Sequence, residues 1–200
     1  MSEPVTTIRS RTVVLPAENV DTDQIIPARY LLRTGRAGYG EHLFANWRYD
    51  EHGKARPEFV LNHPASTGAE ILVAGRNFGC GSSREHAVWA LRDYGFKAVV
   101  STAFADIFRA NALKNGLVPV IVDENTHRNL LAHSGEEVTV DLDARTFTTS
   151  GGTSVEWHIE PFARYCLMKG VDELAFLISR GPEIAAFEAK NGPVPWRLSS

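Results

Sequence analysis

The residues best able to do chemistry sit in one short run, Gly75-Arg76-Asn77-Phe78-Gly79-Cys80-Gly81-Ser82-Ser83-Arg84-Glu85-His86-Ala87. Glycine lets the backbone turn sharply and come close to a ligand. Gly79 and Gly81 do so just before a helix predicted to start at Ser82. A helix start exposes unpaired N–H groups at the positive end of the macrodipole, which suits a carboxylate or phosphate. Gly79 and Gly81 would supply the backbone of this anion loop. Arg84, in the predicted first turn, adds a fork that can hold a carboxylate through two hydrogen bonds. The plainer alternative is a Ser82-x-x-Glu85 capping box, which needs no ligand. Two features favour a ligand. A cap needs one serine, yet Ser83 follows Ser82. An arginine early in a helix also meets the dipole with the wrong sign, unless it serves an anion. The run is neither a P-loop, lacking Gly-Lys-Ser/Thr, nor a GxGxxG fingerprint.

Other candidates are fewer. Asp21 and Asp23 lie in a carboxylate-rich turn, and either could simply form the turn. Arg33 to Gly40 holds three glycines and two arginines, Arg33 and Arg36, as expected of a surface loop. The two cysteines, Cys80 and Cys166, read as reduced cytosolic thiols. They are too few to hold an iron–sulfur cluster, and the seven histidines form no HExxH pattern, so no metal site is assigned to this chain. His86 reads as a structural histidine close to Ser82.

The elements that must position these residues are α/β. Val13 to Pro16, Glu70 to Ala74, Lys97 to Ser101 and Val118 to Val122 read as strands. Helices are predicted over Ser82 to Tyr94 and Phe104 to Asn115, with Gly95 and Gly116 as stops. Strand–helix–strand–helix–strand order implies parallel pairing with right-handed crossovers. Glu137 to Leu142, Thr146 to Thr149 and Ser154 to Ile159 read as further strands, antiparallel and joined by turns. Helices follow over Phe162 to Lys169, Asp172 to Ser179 and Glu183 to Lys190. The expectation is one domain over 1–200: an α/β core to about 160 with a mixed sheet and flanking helices, then a C-terminal helical extension.

The 200 residues are 44% hydrophobic and 22% charged with net charge −3, and Lys and Arg form no long run. Nucleic acid and acidic membranes are therefore poor partners. No apolar run approaches bilayer length, and the polar N-terminus does not read as a secretion signal, so the expected location is cytoplasmic.

The Gly75–Ala87 run resembles the swivel-domain signature of the aconitase superfamily, whose swivelling domain has a β/β/α architecture. Asn19 to Pro27 is similar to the family's N-terminal loop. Phe104 to Asn111, followed by Lys114 to Pro119, is similar to the helix and strand after the signature. The length fits the free-standing small subunits, those of the 3-isopropylmalate dehydratases. The resemblance implies a hydro-lyase that interconverts 2- and 3-isopropylmalate through isopropylmaleate in leucine biosynthesis. It implies Ser82 as the base, acting as an alkoxide, with Ser83, Arg84 and Asp23 at the substrate. It also implies an arginine downstream of Asp23, Arg36 or Arg33, with Arg36 favoured by its spacing to Gly38 and Gly40. The small subunit would hold no cofactor. The partner implied is a large subunit carrying a 4Fe-4S cluster, and the substrate a small dicarboxylate.

One departure matters. Tyr30 to Gly40 differs from the commoner isopropylmalate version of this loop, which faces the substrate's variable side chain. Small subunits acting on homoaconitate or on citraconate/2-methylmalate therefore stay open as alternatives. So does a non-catalytic anion-binding module, which would bind a small anion without any partner. A thiol enzyme using Cys80 would lose activity in Cys80→Ala.

Overall fold

The computed structural model describes residues 3–31, 35 and 37–192. Seven strands form one mixed sheet: β1 (Thr7–Leu15), β2 (Ile71–Ala74), β3 (Ala98–Ser101), β4 (Val118–Ile121), β5 (Glu137–Asp141), β6 (Thr146–Thr149) and β7 (Ser154–Glu156), in the order β4-β3-β2-β1-β5-β6-β7. β1 to β4 are parallel, and β5, β6 and β7 continue antiparallel from the other edge of β1. This is the mixed α/β sheet that the sequence pattern predicts.

The two halves follow from their side chains. Ile71–Ala74 and Ala98–Ser101 are buried at every position, as a strand covered on both faces must be. Successive residues alternate between two cores. Val13, Leu72 and Val99 face one core, whereas Val14, Ile71, Val73 and Val100 face the other. In β5, buried Val138 and Val140 alternate with more exposed Glu137, Thr139 and Asp141, leaving one face wet. β1 serves both halves. Its residues Thr7–Arg11 pair with β5, and Thr12–Leu15 pair with β2.

Helix α1 (Thr22–Ile25) follows β1, and α2 (Ala45–Arg48) lies further along the connection to β2. Crossovers α3 (Glu85–Tyr94) and α4 (Asp106–Lys114) bury Ala87, Leu91, Phe108 and Ala112 in the first core. α5 (Glu124–Ala132) has no counterpart in the sequence reading. Asp123 caps it by accepting from the Asn125 and Thr126 N–H groups at 2.9 and 3.1 Å. It covers the second core with Leu130 and donates from His127 Nε2 to the Ala74 carbonyl at 2.8 Å.

α6 (Pro161–Lys169) begins at a Glu160 cap, ends at left-handed Gly170 and buries Leu167. α7 (Glu173–Ser179) and α8 (Gly181–Asn191) bury no residue and expose Leu174, Leu177, Ile178 and Phe187. Among the described residues, no helix is long and apolar enough to cross a membrane.

One helix boundary corrects the sequence reading. α3 starts at Glu85, not Ser82, with Arg84 at its N-cap and no side chain capping it. There is thus no Ser82–Glu85 capping box. Glu85 Oε1 instead accepts from Asn115 Nδ2, at the end of α4, at 2.7 Å. Ser82 and Ser83 belong to the loop.

Candidate functional site

The carboxyl ends of β1 and β2 lead into two loops laced side by side, at the place where open α/β sheets gather ligands. Asn19 N–H donates to the Arg76 carbonyl at 2.8 Å. Gly79 and Cys80 N–H both donate to the Val20 carbonyl, at 2.8 and 3.2 Å, and Thr22 N–H donates to the Cys80 carbonyl at 3.0 Å. Asn77 Nδ2 donates to Asn19 Oδ1 at 2.9 Å, with both asparagines left-handed. Val20 anchors this seam as a fully buried side chain.

The glycines act through shape. Gly79, at φ +80°, leaves no space for a side chain against the Phe108 ring of α4. Its N–H is committed to Val20, so it gives the loop its turn rather than a donor for an anion. Gly81, at φ +82°, lies so close that a Cβ there would stand 3.2 Å from Asp21 Cβ. Beyond it, Ser82 and Ser83 are exposed. Among the described residues, the N–H groups of Gly81, Ser82 and Ser83 have no protein acceptor. Thr22, itself 3% exposed, donates from Oγ1 to the Ser82 carbonyl at 2.8 Å.

The two aspartates of the first loop have separate tasks. Asp21 forms a capping box at the start of α1: its Oδ1 accepts from Gln24 N–H at 2.8 Å, and Gln24 Oε1 accepts from Asp21 N–H at 2.9 Å. Asp23 faces the other way and takes the Arg84 guanidinium with both oxygens, Nη2 to Oδ2 at 2.7 Å and Nη1 to Oδ1. Arg84's hydrogen bonds hold the Asp23 carboxyl below its usual range, against an opposing push from burial. The pair also offsets the wrong-sign meeting of Arg84 with the α3 start. Arg84 has five N–H donors, so its Nε side stays available for a second carboxylate.

Ser82, Ser83, Arg84 and Asp23 are therefore brought together. Arg33 and Arg36 lie outside the described residues. The downstream end of their loop is tied to α3: Asp93 Oδ2 accepts from Gly38 and Gly40 N–H at 2.9 and 2.8 Å. Between them, fully buried Tyr39 meets His86 edge-on with ring centres 5.4 Å apart. His86 also packs on Trp89 with ring centres 4.6 Å apart. Sequence reasoning missed Thr22 and Asp93. Thr22 lies between Asp21 and Asp23, but its bond reaches 60 residues along the chain.

Among the described residues, no group of three or more His, Cys, Asp or Glu could hold a metal. The two cysteines are free and lie on separate elements, Cys80 in the loop and Cys166 on α6. Burial and nearby Glu173, Asp172 and Glu160 push the Cys166 thiol up. An iron–sulfur cluster does not fit this chain. A cavity of about 800 Å³ lies between α3, α4 and α6–α7, reaching Glu85, Trp89, Asn115 and Leu174; Ser82 and Arg84 do not line it. The serines instead stand on open surface.

The chain matches the aconitase C-terminal domain family over residues 2–125. It is 60% identical to the 3-isopropylmalate dehydratase small subunit of Anaeromyxobacter dehalogenans strain 2CP-C, over 93% of this chain and 97% of that protein. It is 54% identical to the small subunit of the same name in Roseiflexus sp. strain RS-1, over 94% of each. The crystal structure of a 3-isopropylmalate dehydratase from Methanocaldococcus jannaschii superposes with a TM-score of 0.67 at 30% identity, covering 90% of this chain and 99% of that one. With its laced loops, mixed sheet and these relatives, the chain belongs to the aconitase C-terminal domain family, among the 3-isopropylmalate dehydratase small subunits.

Proposed function

We propose that this chain supplies the base and the carboxylate grip of a cytoplasmic hydro-lyase that interconverts 2-isopropylmalate and 3-isopropylmalate through isopropylmaleate. The observation that carries the reading is the exposed Ser82 hydroxyl, on a loop with uncommitted N–H groups, two residues before the Arg84–Asp23 pair.

Ser82 Oγ, as an alkoxide, takes the proton from the carbon beside a substrate carboxylate. The C–H electron pair becomes the C=C of isopropylmaleate as the hydroxyl leaves. Charge gathers on the adjacent carboxylate during this step. Fixed dipoles and a guanidinium aimed there lower the barrier, by about 3–4 kcal/mol for one well-placed donor. Arg84 and Ser83 bind that carboxylate, and Asp23 holds the Arg84 fork in its plane. A serine hydroxyl ionises only where donors also favour its oxyanion. The N–H groups of Gly81, Ser82 and Ser83 could serve both needs.

Among the described residues no metal-ligating group stands ready for the departing hydroxyl, and Ser82 and Ser83 are exposed. A second surface must cover them, because electrostatic stabilisation strengthens when water is excluded. We assign that surface to a large subunit and place the iron–sulfur cluster there, where it would supply a Lewis acid.

The test pairs purified chain with a cluster-bearing large subunit. Ser82→Ala should leave assembly intact and lower turnover of 3-isopropylmalate on the order of 10²- to 10⁴-fold. Near-normal turnover would remove Ser82 as the base. The departure of Tyr30 to Gly40 from the commoner isopropylmalate loop supports a second reading, in which homoaconitate or citraconate/2-methylmalate is the better substrate. Relative kcat/KM across these diacids decides between them.

A further inference from the structure

Ser82 needs a restraint that its own surroundings do not provide. It is exposed, so packing does not fix it, and it precedes α3, so no helical ladder fixes it. The residue before it, Gly81, has φ +82° and no side chain, which leaves the chain free to rotate there. A base on such a loop would sample many positions of Oγ.

We propose that Thr22 is a positioning residue that orients Ser82 for proton abstraction; this rests on the reading of Ser82 as the base. Thr22 holds the loop on both sides of Gly81. Its N–H donates to the Cys80 carbonyl at 3.0 Å, and its Oγ1 donates to the Ser82 carbonyl at 2.8 Å. One residue thereby fixes the peptide before Gly81 and the peptide after Ser82, so the flexible glycine and the base are held together from both ends.

Thr22 is itself well held. It is 3% exposed and begins α1, whose capping box at Asp21 and Gln24 sets its backbone. The neighbouring Ile25 and Ile26 side chains are fully buried in the first core. The same short helix carries Asp23, the partner of Arg84. Helix α1 thus sets the base through Thr22 and the carboxylate grip through Asp23, from a single rigid turn. That arrangement fixes the distance between the two groups more tightly than the exposed loop could alone.

Reacting atoms must come to about 3–3.5 Å in line, and a displacement of about 1 Å can cost on the order of 10²-fold in rate. Thr22→Val keeps the shape and removes the hydroxyl donor, whereas Thr22→Ser keeps the donor and removes the methyl group. Each variant is to be assembled with the large subunit and assayed on 3-isopropylmalate, with and without deuterium at the carbon that loses its proton. The expected result for Thr22→Val is a kcat lowered by about ten- to a hundredfold. KM should stay within about threefold, and the deuterium isotope effect on kcat should rise as proton transfer becomes slower. Thr22→Ser should restore most of the rate.

The proposal fails if Thr22→Val keeps its kcat, if it raises KM alone, or if Thr22→Ser is as impaired as Thr22→Val. A purely structural role would lower the assembled fraction of both variants without changing the isotope effect per assembled enzyme, and that also overturns it. If Ser82→Ala is inactive while Thr22→Val is normal, the base reading stands and this inference alone falls. If Ser82→Ala keeps its turnover, both fall together.

Discussion

The parallel half of the sheet, β1 to β4, and the antiparallel half, β5 to β7, use the same backbone hydrogen bonds for different ends. In the parallel half, strands such as Ile71–Ala74 are buried on both faces, and their carboxyl ends release the loops that carry Asp23, Ser82 and Arg84. In the antiparallel half, Val138, Val140 and Phe147 face the core, their neighbours face water, and none of the candidate site residues is present. A strand covered on both sides cannot slip or tilt without opening a cavity, so its end is a fixed point from which to aim a side chain. A half-wet strand tolerates small shifts. Chemistry that depends on fractions of an ångström belongs on the first kind.

That contrast can be broken by mutation. Leu72→Ala, at a fully buried position in β2, should cost about 2–5 kcal/mol in urea unfolding. Val155→Ala, at a half-buried position in β7, should cost under about 1 kcal/mol. Equal losses would show that the two halves are held equally rigidly.

A smaller effect sharpens the same point at the strand ends. Arg84→Lys keeps the charge and loses the fork, and should lower kcat/KM by about ten- to a hundredfold while the unfolding midpoint barely moves. A matching fall in stability would make Arg84 a structural residue.

The smallest effect concerns pH. Because Arg84 depresses the Asp23 carboxyl, the pair's contribution is complete above the ordinary aspartate range and is lost as pH falls through the depressed value. Thermal melts of Asp23→Asn should therefore lack part of the acid-side loss seen in the unaltered chain. The difference should be slight, since Asp23 is half exposed and screened by water. Identical acid limbs would show that the pair is not formed in solution.

The sequence made the parallel half legible and the rest less so. Apolar runs closed by glycine or polar residues, such as Ile71–Ala74, report their burial directly. The segment Glu124–Ala132 does not. Its Glu-Asn-Thr-His-Arg-Asn start is polar throughout, and α5 forms because Asp123 caps it and Leu130 finds the core. Thr7–Arg11 carries a single buried residue, Ile8, among polar ones, and becomes a strand through partners in Glu137–Asp141. At the site, residue types drew attention to the Gly79–Arg84 run, whereas Asp23 and the roles of Ser82 and Ser83 came from the resemblance to the aconitase superfamily. Ser-x-x-Glu mimics a cap and predicts a start for α3 that is too early, because Asn115, distant in sequence, takes Glu85. Thr22 and Asp93 act through bonds spanning 53 to 60 residues, which no local pattern records.

The divided pairing of β1 bears on how the chain is made. On the ribosome, Thr7–Arg11 emerges well before its partner, which ends at Asp141. Until then it is a bare strand edge, the kind of surface that templates aggregation. Arg9 and Arg11 place positive charge along that edge, and like charges on two nascent chains repel. Only when β5 arrives does Glu137 neutralise Arg9, at 2.6 Å, so the guard is dismissed by the same strand that makes it unnecessary.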